Sequence, residues 1–323
     1  MKSSASPPPL QPLALSIVAP CYNEERGLAG FVERMVAAAV QVGPFALILV
    51  NDGSRDRTWA CVQAMAARYP QVVGVDLARN HGHQLAVTAG LSLARGGRVL
   101  VIDADQQDPP ELLGPMMARM DEGFDVVYGR RRSRPGESRF KRTTATIFYR
   151  LLGRLSEVDI PTDTGDFRLM SRRIVDRLNA MPEQDRFLRG MVAWLGGAQS
   201  ELLYDRETRT SGQTGYTLAR MLRLATDGLA GFSRAPLKLA VVFACVGIGI
   251  AVLVVIWALI AFATGRVLPG WTSLALIMLF FGVAQLGCLA IIGAYLGRIY
   301  MQLKGRPLFL INEIVGGVPP HGP

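Results

Sequence analysis

Val99-Leu100-Val101-Ile102-Asp103-Ala104-Asp105-Gln106-Gln107-Asp108-Pro109-Pro110 is the stretch whose reading decides the fold. Four apolar residues in a row suit a strand buried on both faces. The polar turn that follows ends the strand, and the prolines lead into a helix. Two carboxylates, Asp103 and Asp105, therefore sit where a strand hands over to a helix. Mg²⁺ or Mn²⁺ prefers oxygen ligands and keeps positions for phosphate and water. At this turn one carboxylate can reach such an ion, and the other can bind it through water or reach a ribose. D-x-D alone is common in solvated loops. The buried strand before it and the helix after it set this one apart.

Working outward, the first 130 or so residues repeat the pattern. Short apolar runs fall at Leu15–Ala19, Phe45–Val50, Val72–Leu77, Val99–Ile102 and Asp125–Tyr128. Helical stretches lie between them, at Glu24–Val40, Asp56–Tyr69, Gln84–Arg95 and Pro110–Glu122. This alternation predicts an α/β fold, a Rossmann-like and mostly parallel sheet with flanking helices. Ligands bind such sheets at the carboxyl ends of the strands. Polar turns cluster there: Pro20 to Glu24, Asn51 to Ser54, Arg79 to Gly82, and Asp103 to Asp105. Four polar loops on one edge predict one site.

The C-terminal third differs in composition. No charged residue occurs from Leu239 to Gly265 or from Val267 to Gly297. Each run exceeds the roughly 20 residues that cross a bilayer. Only a short turn around Arg266 and Pro269 separates them, so they read as a transmembrane hairpin of two helices, at about 239–263 and 272–297. The net charge of +9 is concentrated around it. Arg234 and Lys238 precede the first run; Arg298, Lys304 and Arg306 follow the second. That bias places both termini in the cytoplasm, with a multi-pass anchor in the cell membrane. The whole chain then divides into a disordered, Pro-rich lead (1–12), a cytoplasmic catalytic domain (13–216), an interface helix (217–235), the two spans (236–298) and a cytoplasmic tail (299–323). The lead has no apolar run behind a basic start and does not read as a signal peptide.

Two stretches with apolar faces beside arginines and lysines, Ser138–Leu155 and Thr217–Phe232, fit helices lying in a membrane interface. The first includes Lys141 and Arg142. The four cysteines have no metal-ligand spacing, and free thiols suit the cytosol. His81 and His83 flank Gly82 without another histidine nearby, and read as polar loop residues rather than metal ligands.

The motifs Ile17-Val-Ala-Pro-Cys-Tyr-Asn-Glu-Glu25, Leu49-Val-Asn-Asp-Gly-Ser-Arg-Asp-Arg-Thr58, Asn80-His-Gly-His-Gln-Leu-Ala-Val-Thr-Ala-Gly90 and the Asp103–Asp105 turn resemble, in order and spacing, those of glycosyltransferase family 2 with the GT-A fold. Asp163 to Arg172, the apolar hairpin and the Leu296–Pro307 segment narrow the likeness to the polyprenyl-phosphate glycosyltransferases, which include bactoprenol glucosyltransferases and dolichol-phosphate mannose synthases.

The resemblance implies an inverting transfer of a sugar from a nucleotide-sugar donor, UDP-glucose first, to undecaprenyl phosphate at the cytoplasmic membrane face. Mannose, an N-acetylhexosamine or aminoarabinose are the alternative sugars. Pro20, Tyr22 and Glu24 would line the base and ribose pocket, and Asp52 would contact uracil or ribose. Asp103, Ala104, Asp105 and Gln107 would hold the donor, with Asp103, Asp105 and Gln107 around a Mg²⁺ or Mn²⁺ ion. Arg131 and Arg209 would face the phosphates. Asp166 and Arg168 would lie at the acceptor end with Lys141 and Arg142. Asp105, Asp166, Arg131 and Arg209 form the implied catalytic set. The family likeness also implies a homo-oligomer, a tetramer among the options, and no nucleic-acid partner. Relatives often carry a lysine where this chain has Gly215, which leaves more of the phosphate contact to Arg209.

Two other readings compete. A processive polysaccharide synthase would show Q-x-x-R-W and more spans, whereas this chain has Gln184-Asp185-Arg186-Phe187 and two apolar runs. A non-catalytic membrane-anchored nucleotide-sugar scaffold would have no need of the paired acids.

Overall fold

The computed structural model describes residues 13–132, 164–205, 235–264 and 270–317. These residues fall into two compact units. One holds 13–132, 164–205 and 307–317, and the other holds 235–264 and 270–306. The expected interface helices near 138–155 and 217–235, together with Lys141, Arg142 and Arg209, lie outside the described residues.

The first unit is an eight-stranded sheet. Its strands are β1 (Leu15–Cys21), β2 (Phe45–Asn51), β3 (Val72–Leu77), β4 (Arg98–Val101), β5 (Val126–Arg131), β6 (Thr164–Ser171), β7 (Gln199–Tyr204) and β8 (Ile311–Gly316). They lie in the order β7-β5-β6-β4-β1-β2-β3-β8. β1, at the centre, is buried at all seven positions, as an apolar strand covered on both faces must be. β2 and β4 flank it in parallel. β3 pairs parallel to β2, and β5 parallel to β7. The mostly parallel sheet is therefore present. β6 runs antiparallel between β4 and β5, and β8 runs antiparallel along β3.

Among the described residues six α-helices belong to this unit: α1 (Leu28–Val40), α2 (Thr58–Arg68), α3 (His83–Leu93), α4 (Leu113–Asp121), α5 (Arg172–Ala180) and α6 (Leu188–Leu195). α1 buries Leu28, Phe31, Val32, Met35 and Ala39, one stripe at helical spacing. Each large side chain so buried contributes about 1.5–3 kcal/mol. α3 packs closer. A Cβ at Gly90 would lie 2.3 Å from Val18 Cγ1 on β1, so only glycine lets the helix approach the sheet this far.

β6, β7 and β8 are strands that the sequence pattern did not announce. β8 comes from the segment read as a tail. It follows the apolar helices α7 (Ala235–Ala263) and α8 (Trp271–Leu303), which make up the second unit. α7 and α8 pack on each other, with Gly247 against the ring of Phe281. Among the described residues, Phe280–Leu303 is the one stretch long and apolar enough by itself to cross a membrane, and Cys245–Val254 is a shorter apolar run.

Gly90→Ala gives a test in which two effects oppose. Alanine favours a helix over glycine by about 1 kcal/mol. The new methyl must displace a stiff β-branched side chain in the core, which costs about 1–3 kcal/mol. We expect net destabilisation, read as a lower melting temperature of the purified chain in detergent. A variant as stable as wild type would show that β1 and α3 separate freely.

Candidate functional site

The strand order places the switch point of the sheet between β1 and β4. Both lead into polar turns on the carboxyl edge, and the turns after β2 and β3 lie beside them. Hydrogen bonds tie these loops together. Asn23 N donates to Ser54 Oγ (3.0 Å) and Glu24 N to Thr58 Oγ1 (2.8 Å), while Asn23 Oδ1 accepts from Arg55 N (2.9 Å). Gln106 Nε2 donates to the Gly27 carbonyl at 2.6 Å. Gly53, at φ +59°, turns the second loop so closely over the third that a Cβ would lie 2.4 Å from Asn80 N.

Asp52 is buried at the head of this arrangement. Its carboxylate accepts from His81 N (2.7 Å) and Gly82 N (3.0 Å). Burial raises its pKa, and those two N–H groups offset part of the rise. Pro20 is buried at the end of β1; Tyr22 is exposed and Glu24 half-buried in the turn after it.

Asp103 and Asp105 follow β4, with Ala104 and Gln107 buried beside them. Gln107 N donates to Asp105 Oδ1 at 3.2 Å, closing the turn. Asp108 is fully buried and accepts from the Tyr204 hydroxyl. β6 adds a further acid. Its antiparallel register pairs Arg168 with Val101, so two residues further on Asp166 comes opposite Asp103. Four carboxylates thus gather at one strand end.

Two cations answer them, and neither was anticipated. His83, the first residue of α3, places Nε2 2.9 Å from Asp166 Oδ2 and 3.6 Å from Asp103 Oδ1. Arg189 of α6 places Nε 3.1 Å from Asp166 Oδ1. Gln84 Nε2 also donates to Asp166 Oδ2, at 3.1 Å. Burial alone would depress the His83 pKa, but the Asp166 hydrogen bond and the charges of Asp103 and Asp166 hold it up at about 9. For Asp166, burial pushes its pKa upward, yet His83 and Arg189 outweigh it and hold the carboxyl well below the usual range. Asp166 is thus a fixed negative charge that orients two cations. Arg168 lies 4.0 Å from Asp166 and donates instead to the Gly165 carbonyl at 3.0 Å. Burial lowers its pKa to about 10. Arg131 is the last residue of β5.

Asp103 is left under-neutralised. Burial lifts its pKa to about 6, and the charges of Asp166, Asp108 and Asp105 add to the rise against the pull of His83. Its Oδ1 is shut from solvent without a hydrogen-bond partner. A buried acceptor in surplus negative charge is what a divalent cation satisfies, so Asp103 and Asp105 fit such an ion. Among the described residues no three acidic, histidine or cysteine side chains form a ready-made cage. The remaining positions would fall to phosphate and water, as Mg²⁺ sites often arrange.

Comparison with known proteins gives a consistent family. Residues 16–178 match the model of glycosyl transferase family 2. An uncharacterized glycosyltransferase of Bacillus subtilis, YkcC, is 42% identical over 304 residues, spanning 93% of this chain and 94% of its own. A second, of Synechocystis, is 41% identical over 309 residues, spanning 94% and 96%. The SfII prophage-derived bactoprenol glucosyl transferase of Shigella flexneri is 34% identical over 310 residues, 95% of this chain and all of the relative.

The raised pKa of Asp103 predicts a trade between stability and activity. The carboxyl titrates near 6 in the folded chain and near 3.9 when unfolded. Folding therefore favours its protonated form, and the charged form costs stability once pH exceeds about 6. Asp103→Asn should raise the melting temperature of the metal-free protein at pH 7.5 by roughly 2–8 °C. The gain should shrink toward pH 4.5, and activity should be lost. No gain at pH 7.5 would show that His83 already balances the charge.

Proposed function

The chain belongs to glycosyltransferase family 2 and is a glycosyltransferase, and from that premise we propose that it moves glucose from UDP-glucose to the phosphate of undecaprenyl phosphate at the cytoplasmic face of the membrane. The observation that carries this reading is the Asp103 carboxylate at the switch point, whose Oδ1 is shut from solvent without a hydrogen-bond partner, one loop away from buried Asp52. It supplies a cation site where a nucleotide diphosphate would lie. The bactoprenol glucosyl transferases at 34% identity support a polyprenyl phosphate acceptor and glucose as the sugar.

In this reading Asp103 and Asp105, with Gln107, would hold a Mg²⁺ or Mn²⁺ ion, which would supply positive charge against the departing diphosphate. Asp52, held by the His81 and Gly82 amides, fixes the base or ribose end. The acceptor phosphate has a second pKa of about 6 and is mostly dianionic near neutral pH. It needs no strong general base, which suits an Asp166 that stays ionised. His83 and Arg189 contribute positive charge beside Asp166, and Arg168, Arg131 and Arg209 are the further candidates to hold phosphate. A single displacement inverts the anomeric centre.

Two membrane crossings, by α7 and α8, belong to the same proposal. β8 pairs with β3, yet the apolar helices lie between them in the chain. A single crossing would leave these paired strands on opposite sides of the bilayer, so the number of crossings between them is even. Exposed Leu253, Trp257 and Ile260 on α7, and Met278, Leu286 and Leu296 on α8, also favour lipid around both.

A screen of UDP-sugars against undecaprenyl phosphate in detergent tests the reaction; we expect UDP-glucose to give the glycolipid fastest. Formation of a free polymer, or no turnover with any donor, would overturn the reading. Activity should also disappear in excess EDTA, and Asp105→Ala should slow glycolipid formation by about 100-fold or more while the chain stays folded. Full turnover in EDTA would remove the ion from the mechanism.

A further inference from the structure

We infer that β8, the strand that follows the apolar helices, positions the loop that grips Asp52, and so sets how tightly the nucleotide donor binds. The inference rests on the reading of Asp52 as a donor-side residue given above. β8 lies along β3; two contacts join Leu310, the residue just before β8, to the loop after β3, and a third joins β8 to Asp76 within β3. Ala78 N donates to the Leu310 carbonyl at 2.9 Å. Leu310 N donates to His81 Nε2 at 3.4 Å. Asn312 Nδ2 donates to Asp76 Oδ2 at 3.0 Å.

Each contact continues inward. Asp76 Oδ1 accepts from Asn51 Nδ2 at 2.7 Å, and Asn51 is the residue before Asp52. The backbone N–H groups of His81 and Gly82 both point at the Asp52 carboxylate, at 2.7 and 3.0 Å. Asn80 Nδ2 donates to the Asp52 carbonyl at 3.1 Å. The residues that touch β8 are thus the same ones, or the neighbours of the ones, that hold Asp52.

His81 is the hinge of this chain of contacts. Its ring accepts from Leu310, the residue just before β8, and its backbone N–H faces Asp52. Burial and the nearby Arg79 charge push its pKa down, which keeps Nε2 an acceptor for Leu310 N–H. The loop itself is short and polar, with Gly82 at φ +94°. Little apolar burial fixes it, so its shape depends on these hydrogen bonds. An exposed Asn312 and a single backbone N–H therefore reach the nucleotide end of the site without touching the nucleotide.

The test uses the full chain in detergent with His81→Ala, His81→Gln and Asn312→Ala. UDP binding is measured by calorimetry, and amide exchange of residues 79–83 is followed without nucleotide. We expect His81→Ala and Asn312→Ala each to weaken UDP binding about 3–10-fold, which is roughly 0.7–1.4 kcal/mol. The 79–83 amides should exchange faster in both. In Asn312→Ala the turnover number at saturating donor should stay within twofold of wild type. His81→Gln should recover most of the affinity, because its side-chain carbonyl can accept from Leu310 N–H. UDP affinity and amide exchange unchanged in both alanine variants would overturn the inference. So would faster exchange with a loss of turnover and no loss of affinity. If the tail variants weaken UDP binding but wild type makes no glycolipid, the inference stands and the acceptor assignment fails.

Discussion

The structure is organised around surplus negative charge at one strand end. Asp103, Asp105, Asp108 and Asp166 meet where β4 ends and β6 begins. Like charges this close cannot all ionise in a protein interior without compensation. The chain answers unevenly. Asp166 receives His83, Arg189 and Gln84. Asp108 receives a tyrosine hydroxyl. Asp103 keeps an oxygen with no hydrogen-bond partner and a pKa near 6. The instability is local, and the fully buried β1 and its helices absorb it. A site that pre-forms in this way is costly when empty and favourable when a cation arrives, which is how preorganised electrostatics work.

The parallel half of the sheet was legible because two signals coincide there. Buried strands are continuous apolar runs, and ligand loops at their ends are polar and turn-rich. β1 to β4 have both, so their positions and the shared edge could be read directly, while β5 was read from its apolar run alone. β6 was not read as a strand, because Asp166 and Arg168 interrupt its apolar residues. β7 and β8 are short and polar, as edge strands commonly are. Their pairing depends on partners far away in the chain.

His83 and Arg189 were missed for a related reason. A histidine is recognised from sequence by its neighbours, and His83 has only His81 nearby. Its partner Asp166 is 83 residues away, brought in by the antiparallel turn of β6. Arg189 sits in the Arg186-Phe187-Leu188-Arg189-Gly190 segment, to which the sequence pattern assigned no role. Composition also drew one boundary in a place the fold does not respect. The change from mixed to apolar residues near Leu239 suggested that everything needed for catalysis lay before it. The sheet instead takes its last strand from beyond both apolar helices.

That arrangement has a consequence for how the protein is made. Asp76 and Asn312 are 236 residues apart, and they meet in adjacent strands. At about 5–20 residues per second, β3 waits roughly 10–50 seconds for β8 to be synthesised. During that interval β3 is an open edge, and closing so long a loop is slow. Both apolar helices emerge in the same window and precede β8 from the ribosome. The apolar helices of the nascent enzyme are therefore synthesised before the eight-stranded sheet can be complete. Pairing of β3 with β8 thus comes after both apolar helices have been made, an order of assembly written in the connectivity of one short strand.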